Sequence, residues 1–274
     1  MKITTIARNP LNSPQMTESD AAILRAVEKE LVAKGANIKR SEEYEDITAD
    51  CQAIIHMSRT ATTLQRLKEH EAEGTVILNT PGSVENCSRI KMVQTLERNK
   101  IKQPQYKTIN SSNELIGITY PAWIKRGEGW SCHKEDVAYV KDAAEAIKAF
   151  AAIKGEAVIC DHIAGDIVKF YGIGERFFSY SYPDVEKTKF GLERINGTPQ
   201  KYPFKVEDLK ETAFKAAEAL GLSIFGGDAI ITPEGEIYII DLNDFPSFSP
   251  VREEAAREIA TIVIENIKEN ERTR

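Results

Sequence analysis

The sequence predicts an N-terminal α/β unit built on a parallel sheet, followed by two smaller α+β units. Three patterns lead there. Over roughly the first hundred residues, short apolar runs alternate with stretches in which apolar residues recur every three or four positions, the order expected of strand–helix–strand units. From Pro104 onward the strands follow one another more closely. Near the C-terminus two β-branched runs flank Pro233-Glu234-Gly235, which is turn chemistry between paired strands.

The elements follow in order. Met1–Ala7, Ala53–Met57 and Thr75–Asn79 read as buried strands, and Glu18–Lys34, Ala61–Ala72 and Ser88–Asn99 as amphipathic helices, the first capped near Thr17 or Ser19. Gly74 breaks one pattern, and Pro104 marks the exit from the unit. Then come strands at Pro121–Lys125 and Val137–Val140, a helix at Asp142–Ile153, strands at Glu156–His162 and within Ile167–Tyr182, and a helix at Val206–Leu220. After the hairpin, Val251–Lys268 closes the chain as an amphipathic helix. The expected domains are 1–103, 104–157 and 158–274. The polar segment Asp184–Pro203 is the longest expected loop, a substrate cover or plain surface.

The hairpin carries the densest chemistry. A two-residue turn at Glu234-Gly235 sets Asp228 opposite Asp241, with Asn243 on the Asp241 face by the two-residue strand period. A three-residue turn puts the aspartates on opposite faces unless a bulge restores them. Facing carboxylates repel, and a hard divalent cation that takes oxygen ligands removes the penalty. The plainer alternative is that these residues only end strands before Pro246.

Composition narrows the class. With 42% hydrophobic and 28% charged residues, no long apolar run and no signal-peptide core, the 274-residue chain reads as a cytoplasmic globular protein without a membrane partner. A net charge of −6 argues against a nucleic-acid partner. Cys51, Cys87, Cys132 and Cys160 show no CxxC spacing and read as free thiols of a reducing compartment. The first strand runs into Arg8-Asn9-Pro10-Leu11-Asn12-Ser13 with no G-x-G-x-x-G, which excludes a dinucleotide-binding turn; Arg8 and Ser13 are expected to border a substrate.

Four segments then stand in one order: Lys91 opening a helix; Lys125 on a strand before Gly127 and Gly129; the strand end Cys160-Asp161-His162-Ile163-Ala164-Gly165-Asp166; and the acidic hairpin with Asp241-Leu242-Asn243-Asp244-Phe245-Pro246. In this combination the chain resembles the ATP-grasp superfamily over nearly its whole length. It looks most like the ligases that add glutamate to a ribosomal protein and like the inositol trisphosphate kinases, whose D-x-N-x-x-P hairpin it shares.

The resemblance implies a fold in which two α+β lobes sandwich ATP, and it assigns roles. Lys91 and Lys125 would hold phosphates, and the Gly127–Gly129 loop would fold over them. Strand Ala157–Cys160, with Ile159, Cys160 and Asp161, would face adenine, and Asp166 would take the ribose hydroxyls. Asp228, Asp241 and Asn243 would hold magnesium, or manganese in its place. Relatives carry an arginine two residues before the first metal aspartate; here Gly226 stands there, so Lys169, Arg176 or Arg252 must substitute, with Lys169 and Arg252 the catalytic candidates. His133 loosely matches a loop histidine of the kinases. The implied activity is ATP- and magnesium-dependent ligation of a carboxylate to an amine or amino acid on a small-molecule or peptide acceptor. Small-molecule kinase action and a non-catalytic nucleotide-binding module are the alternatives.

Overall fold

Three four-stranded sheets organise the chain in a computed structural model that describes every residue except Pro14, Tyr44, Asp46, Thr48, Ala49, residues 185–191, Arg274 and the side chain of Glu193. The first sheet has β1 (Lys2–Ile6), β2 (Asn37–Ser41), β3 (Ala53–His56) and β4 (Val76–Leu78) in the order β2-β1-β3-β4, all parallel. β3 is buried along its whole length, as a parallel strand covered on both faces must be. Helices α1 (Thr17–Ala33), α2 (Ala61–Ala72), α3 (Pro81–Asn86) and α4 (Arg89–Arg98) complete this part of the chain.

The second sheet joins β5 (Tyr106–Ile109), β6 (Ala122–Arg126), β7 (Val137–Val140) and β8 (Ala157–Asp161) in the antiparallel order β5-β8-β6-β7. Helix α5 (Ala143–Ile153) starts where the Asp142 side chain accepts the Glu145 amide, and it closes one face over Ile109, Ile124, Val140 and Ile159. By strand alternation Trp123, Lys125, Val158 and Cys160 belong to the other face.

The third sheet, β10-β9-β11-β12, is antiparallel: β9 (Asp166–Ile173), β10 (Phe177–Ser181), β11 (Ile224–Ile231) and β12 (Ile237–Asp244). Helix α6 (Val206–Leu220) packs Leu209, Ala213 and Ala217 into its core and stops at Gly221, whose φ of 76° favours glycine.

The last helix, α7 (Arg252–Thr273), runs back to the first sheet. Its Ile259, Val263 and Ile267 share one core with Ile23, Val27 and Leu31 of α1, with Ile3 and Ile55, and with Phe245 and Phe248. Buried Asn79, at the end of β4, fastens the same two sheets: its amide donates to the Ile224 carbonyl (2.7 Å) and its oxygen accepts the Ser223 and Ile224 amides (2.9 and 2.8 Å). Residues 158–274 thus share a core with the first sheet, through which the chain's two ends meet.

Two strands escape the sequence pattern, β2 and β5, and both lie at sheet edges. An edge strand faces solvent and carries polar residues, here Asn-Ile-Lys-Arg-Ser and Tyr-Lys-Thr-Ile, so neither shows a buried-strand signature. Of the expected cover Asp184–Pro203, residues 185–191 lie outside the described residues. Its later part is tied down, with the Asn196 amide donating to the Ile163 and Gly165 carbonyls (3.1 and 3.0 Å). Among the described residues, no helix is long and apolar enough to cross a membrane, and none of the four cysteines is in a disulfide.

Candidate nucleotide and metal site

The hairpin reaches the expected facing of its aspartates by a different route. Near the turn, Thr232 donates to the Glu236 carbonyl (3.0 Å) and Gly235, at φ 79°, to the Thr232 carbonyl (2.9 Å). Pairing runs Ile231 with Ile237 and Ala229 with Ile239, a register that would split the aspartates. A shift between Asp228 and Ala229 leaves Ile240 bulged, and beyond it Asp228 pairs with Asp241 and Gly226 with Asn243.

On its other edge β11 pairs with β9, Asp228 lying opposite Lys169, so Lys169, Asp228 and Asp241 form one row across three strands. Each carboxylate has its own cation. Lys169 Nζ donates to Asp228 Oδ1 (2.9 Å), and Arg89 Nη1, from the first turn of α4, donates to Asp241 Oδ1 (3.0 Å). Burial alone would push the Asp241 carboxyl up, but Arg89 and Lys125, with hydrogen bonds from Arg89 and Asn243, hold it below the usual carboxylate range.

The bulged carbonyl of Ile240 collects the remaining cations, accepting from Lys125 Nζ (3.2 Å) and Arg89 Nη1 (3.3 Å). Burial, and then the like charge of Arg89, pull the Lys125 ammonium below an ordinary lysine against the opposing pull of Asp241 and Asp228. A cleft opens at these two cations, walled by Met92 and Val93 of α4, Tyr106, Val158, Cys160 and Ile239. Its lining is mostly apolar, with Arg89, Lys125 and Gln103 the polar exceptions.

Gly127 anchors the loop after β6. Its amide donates to the Glu156 carbonyl (2.8 Å), its carbonyl accepts the Ile90 amide (3.1 Å), and a Cβ there would meet Ile90 Cδ1 at 2.7 Å. Gly129 turns the loop at φ 68°.

Other expected site residues are placed elsewhere. Lys91 is exposed on α4; two helical residues from Arg89 it lies on the far side, and Arg89 is the cation that enters the site. Inner strand β8 pairs with β5 and β6, which occupies the Ile159 and Cys160 backbones. Ile159 points into the α5 core, and Cys160 offers the cleft its side chain. The Asp161 amide donates to the Gln105 carbonyl (3.0 Å). Buried Asp166 accepts the amides of Gln200 (2.7 Å) and Tyr202 (2.9 Å), one on each oxygen.

Among the three candidate substitutes for the missing arginine, Lys169 is the one that stands beside Asp228. Arg176 pairs with Glu258 and Glu265 on α7, and Arg252 bonds Ser249. An arginine at position 226 has no room, since a Cβ would lie 2.8 Å from Pro246 Cγ and 3.0 Å from the Phe170 carbonyl. His133 is exposed. Among the described residues no group of three or more Asp, Glu, His or Cys side chains forms a metal centre; the donor set here is two carboxylates and one amide.

Arg8, which with Ser13 lines a separate pocket, joins a charged cluster whose other members, Arg59 and Asp244, carried no sequence signal. Buried Asp244, the last residue of β12, accepts from Arg59 Nε (2.9 Å) and Nη2 (2.6 Å) on one side and from Arg8 Nη2 (3.3 Å) on the other. Burial would raise its carboxyl, yet Arg59 and Arg8 hold it below the usual range. Arg8 also donates to the Phe245 carbonyl (3.0 Å).

No known family model matches the chain. It is 25% identical over 243 residues to a probable alpha-L-glutamate ligase of Coxiella burnetii, covering 85% of this chain and 79% of the relative. To the like-named protein of Chromohalobacter salexigens it is 26% identical over 217 residues, covering 76% and 72%. Among solved structures it superposes on a RimK-domain ATP-grasp protein of Sphaerobacter thermophilus with a TM-score of 0.71 at 17% identity, over 96% of this chain and 100% of that one. The D-alanine–D-alanine ligase of Bacillus anthracis complexed with ATP gives 0.70 at 13% identity over 100% of both chains. The three sheets and these superpositions agree: the chain has the fold of the ATP-grasp structures it matches, over nearly its whole length.

Proposed function

We propose that the protein activates a carboxylate as an acylphosphate and joins it to the amine of an amino acid. The observation that supports this reading is the row Lys169–Asp228–Asp241, with Asn243, beside a cleft lined by Lys125 and Arg89. Asp228, Asp241 and Asn243 are hard oxygen donors, and two facing carboxylates favour positive charge between them, so they fit magnesium. Bound there, the ion would polarise the γ-phosphate and screen its charge.

The chain's own cations do the rest. Lys125 and Arg89 neutralise the polyphosphate from the cleft side, and Lys169 holds a fixed positive charge next to the first carboxylate, where charge shifts as the phosphoryl group moves. A carboxylate oxygen attacks the γ-phosphorus and ADP leaves. The amine then attacks the acyl carbon, inorganic phosphate leaves, and the nitrogen loses a proton. The names of the sequence relatives make L-glutamate the amino acid to test first.

Kinase action is disfavoured because Arg8 and Arg59, which a polyphosphorylated acceptor would need, are both bound to Asp244. The test is incubation with magnesium-ATP, pooled carboxylates and L-glutamate. ADP, free phosphate and an amide product are expected, with hydroxylamine trapping a hydroxamate. A phosphorylated product without free phosphate would overturn the ligation step.

A further inference from the structure

We propose that Trp130 is a positioning residue: it latches the 127–131 loop onto the Arg59–Asp244 pair, so that loop closure over the nucleotide and placement of the metal-site hairpin are set together. The inference rests on the nucleotide reading above.

The loop is fixed at both feet. Gly127 is held between α4 and the start of β8, and on the return side Asp136 accepts the Cys132 and His133 amides (2.8 and 2.9 Å) and Arg126 Nε (2.7 Å). Gly129, exposed and at a φ of 68° that favours glycine, turns the chain at the tip between these feet.

At the tip stands a tryptophan, and it reaches the first sheet. Its indole Nε1 donates to the Arg59 carbonyl (3.2 Å), and the Arg59 guanidinium lies over the ring, 4.5 Å from the centroid. The indole also packs against two apolar cores, that of Ile54, Leu64 and Ile77 and that of Met92 and Val158. The guanidinium has both its surfaces in use: its edge binds Asp244, three residues beyond Asp241, and its face carries the indole. A planar, weakly hydrated cation can do both, whereas a lysine offers no flat face.

A single-tryptophan protein, Trp123→Phe, reads the latch directly. Saturating magnesium-ATP is expected to lower acrylamide quenching of Trp130. Trp130→Ala is expected to raise KM for ATP about tenfold, the scale of a partly desolvated cation–π contact with its hydrogen bond, while kcat falls less. Trp130→Phe, which keeps a ring face, should recover part of that loss. Arg59→Lys should reproduce the rise in KM. Should Trp130→Ala not fold, the quenching measurement decides alone. An unchanged KM for ATP in Trp130→Ala, or quenching indifferent to nucleotide in a protein that binds it by calorimetry, overturns the latch alone. Absence of nucleotide binding to the wild-type protein overturns both this inference and the functional reading beneath it.

Discussion

Asp228 faces Asp241 across neighbouring strands because Ile240 is bulged out of the ladder between them, and the same bulge offers its carbonyl to Lys125 and Arg89. One backbone irregularity therefore sets both the acidic and the basic side of the site. Removing a metal-site partner outside the ligand shell typically costs 10–100-fold, so Asp241→Ala and Asp228→Ala are expected to lower turnover by at least about 100-fold. Their ion pairs are part-exposed, with the two carboxylates 27% and 25% accessible, so the melting temperature should move little. Paired steady-state kinetics and thermal melts check this; near-normal turnover would refute the metal assignment.

Lys125 gives a pH signature. Burial and Arg89 hold its ammonium below an ordinary lysine, so as pH rises it loses its proton earlier than a free side chain would. Phosphates arriving beside it favour the charged form and draw the proton back. ATP binding at alkaline pH is therefore expected to take up protons, and more so as pH climbs toward the ordinary lysine value. Calorimetry in buffers of different ionisation enthalpy measures this, and Lys125→Met should abolish it.

Asp244 gives the opposite limb. Its folded-state pKa lies below the unfolded one, so the unfolded chain takes up the proton first as pH falls. The stability it contributes is complete above the ordinary carboxylate range and is lost as pH drops through that range toward the lowered value. Asp244→Asn leaves Arg8 and Arg59 buried without a countercharge and is expected to cost about 3–5 kcal/mol at neutral pH. It should also flatten the acid decline. Urea unfolding across a pH series tests both effects.

Asn79→Ala removes three short hydrogen bonds and leaves the Ser223 and Ile224 amides without an acceptor. With about 1–3 kcal/mol for each buried orphan, the loss should exceed 2 kcal/mol, with unchanged affinity for nucleotide. Chemical denaturation and calorimetry separate the two readouts.

The helices that bury a periodic face were legible to within a residue or two at most ends, α2 and α6 matching their expected bounds, and strand β7 also matches its own. What escaped depends on pairing at a distance. The turn holds one residue more than a two-residue hairpin, and nothing local in Ile239-Ile240-Asp241 announces the compensating bulge. The bonds from the Gln200 and Tyr202 amides to Asp166 join stretches more than thirty residues apart and had no local signal. Arg89 had a signal that went unused: Arg89, Met92, Val93 and Leu96 follow the helical period of a buried face, and Lys91 does not. Arg59, Trp130 and Asp244 come from three separate stretches of chain, and only the fold assembles them.

The core shared by α1 and α7 bears on how the cleft is braced. Phe245 and Phe248, immediately downstream of β12, are buried in that core alongside Ile3 and Ile55, and Asn79 bolts the two sheets at another point. The first and third sheets are thus joined through one apolar core. The second sheet keeps an apolar interior of its own, yet Val158 and Tyr106 also enter the core of Phe170 and Leu242, so the walls of the cleft are braced from the third sheet as well.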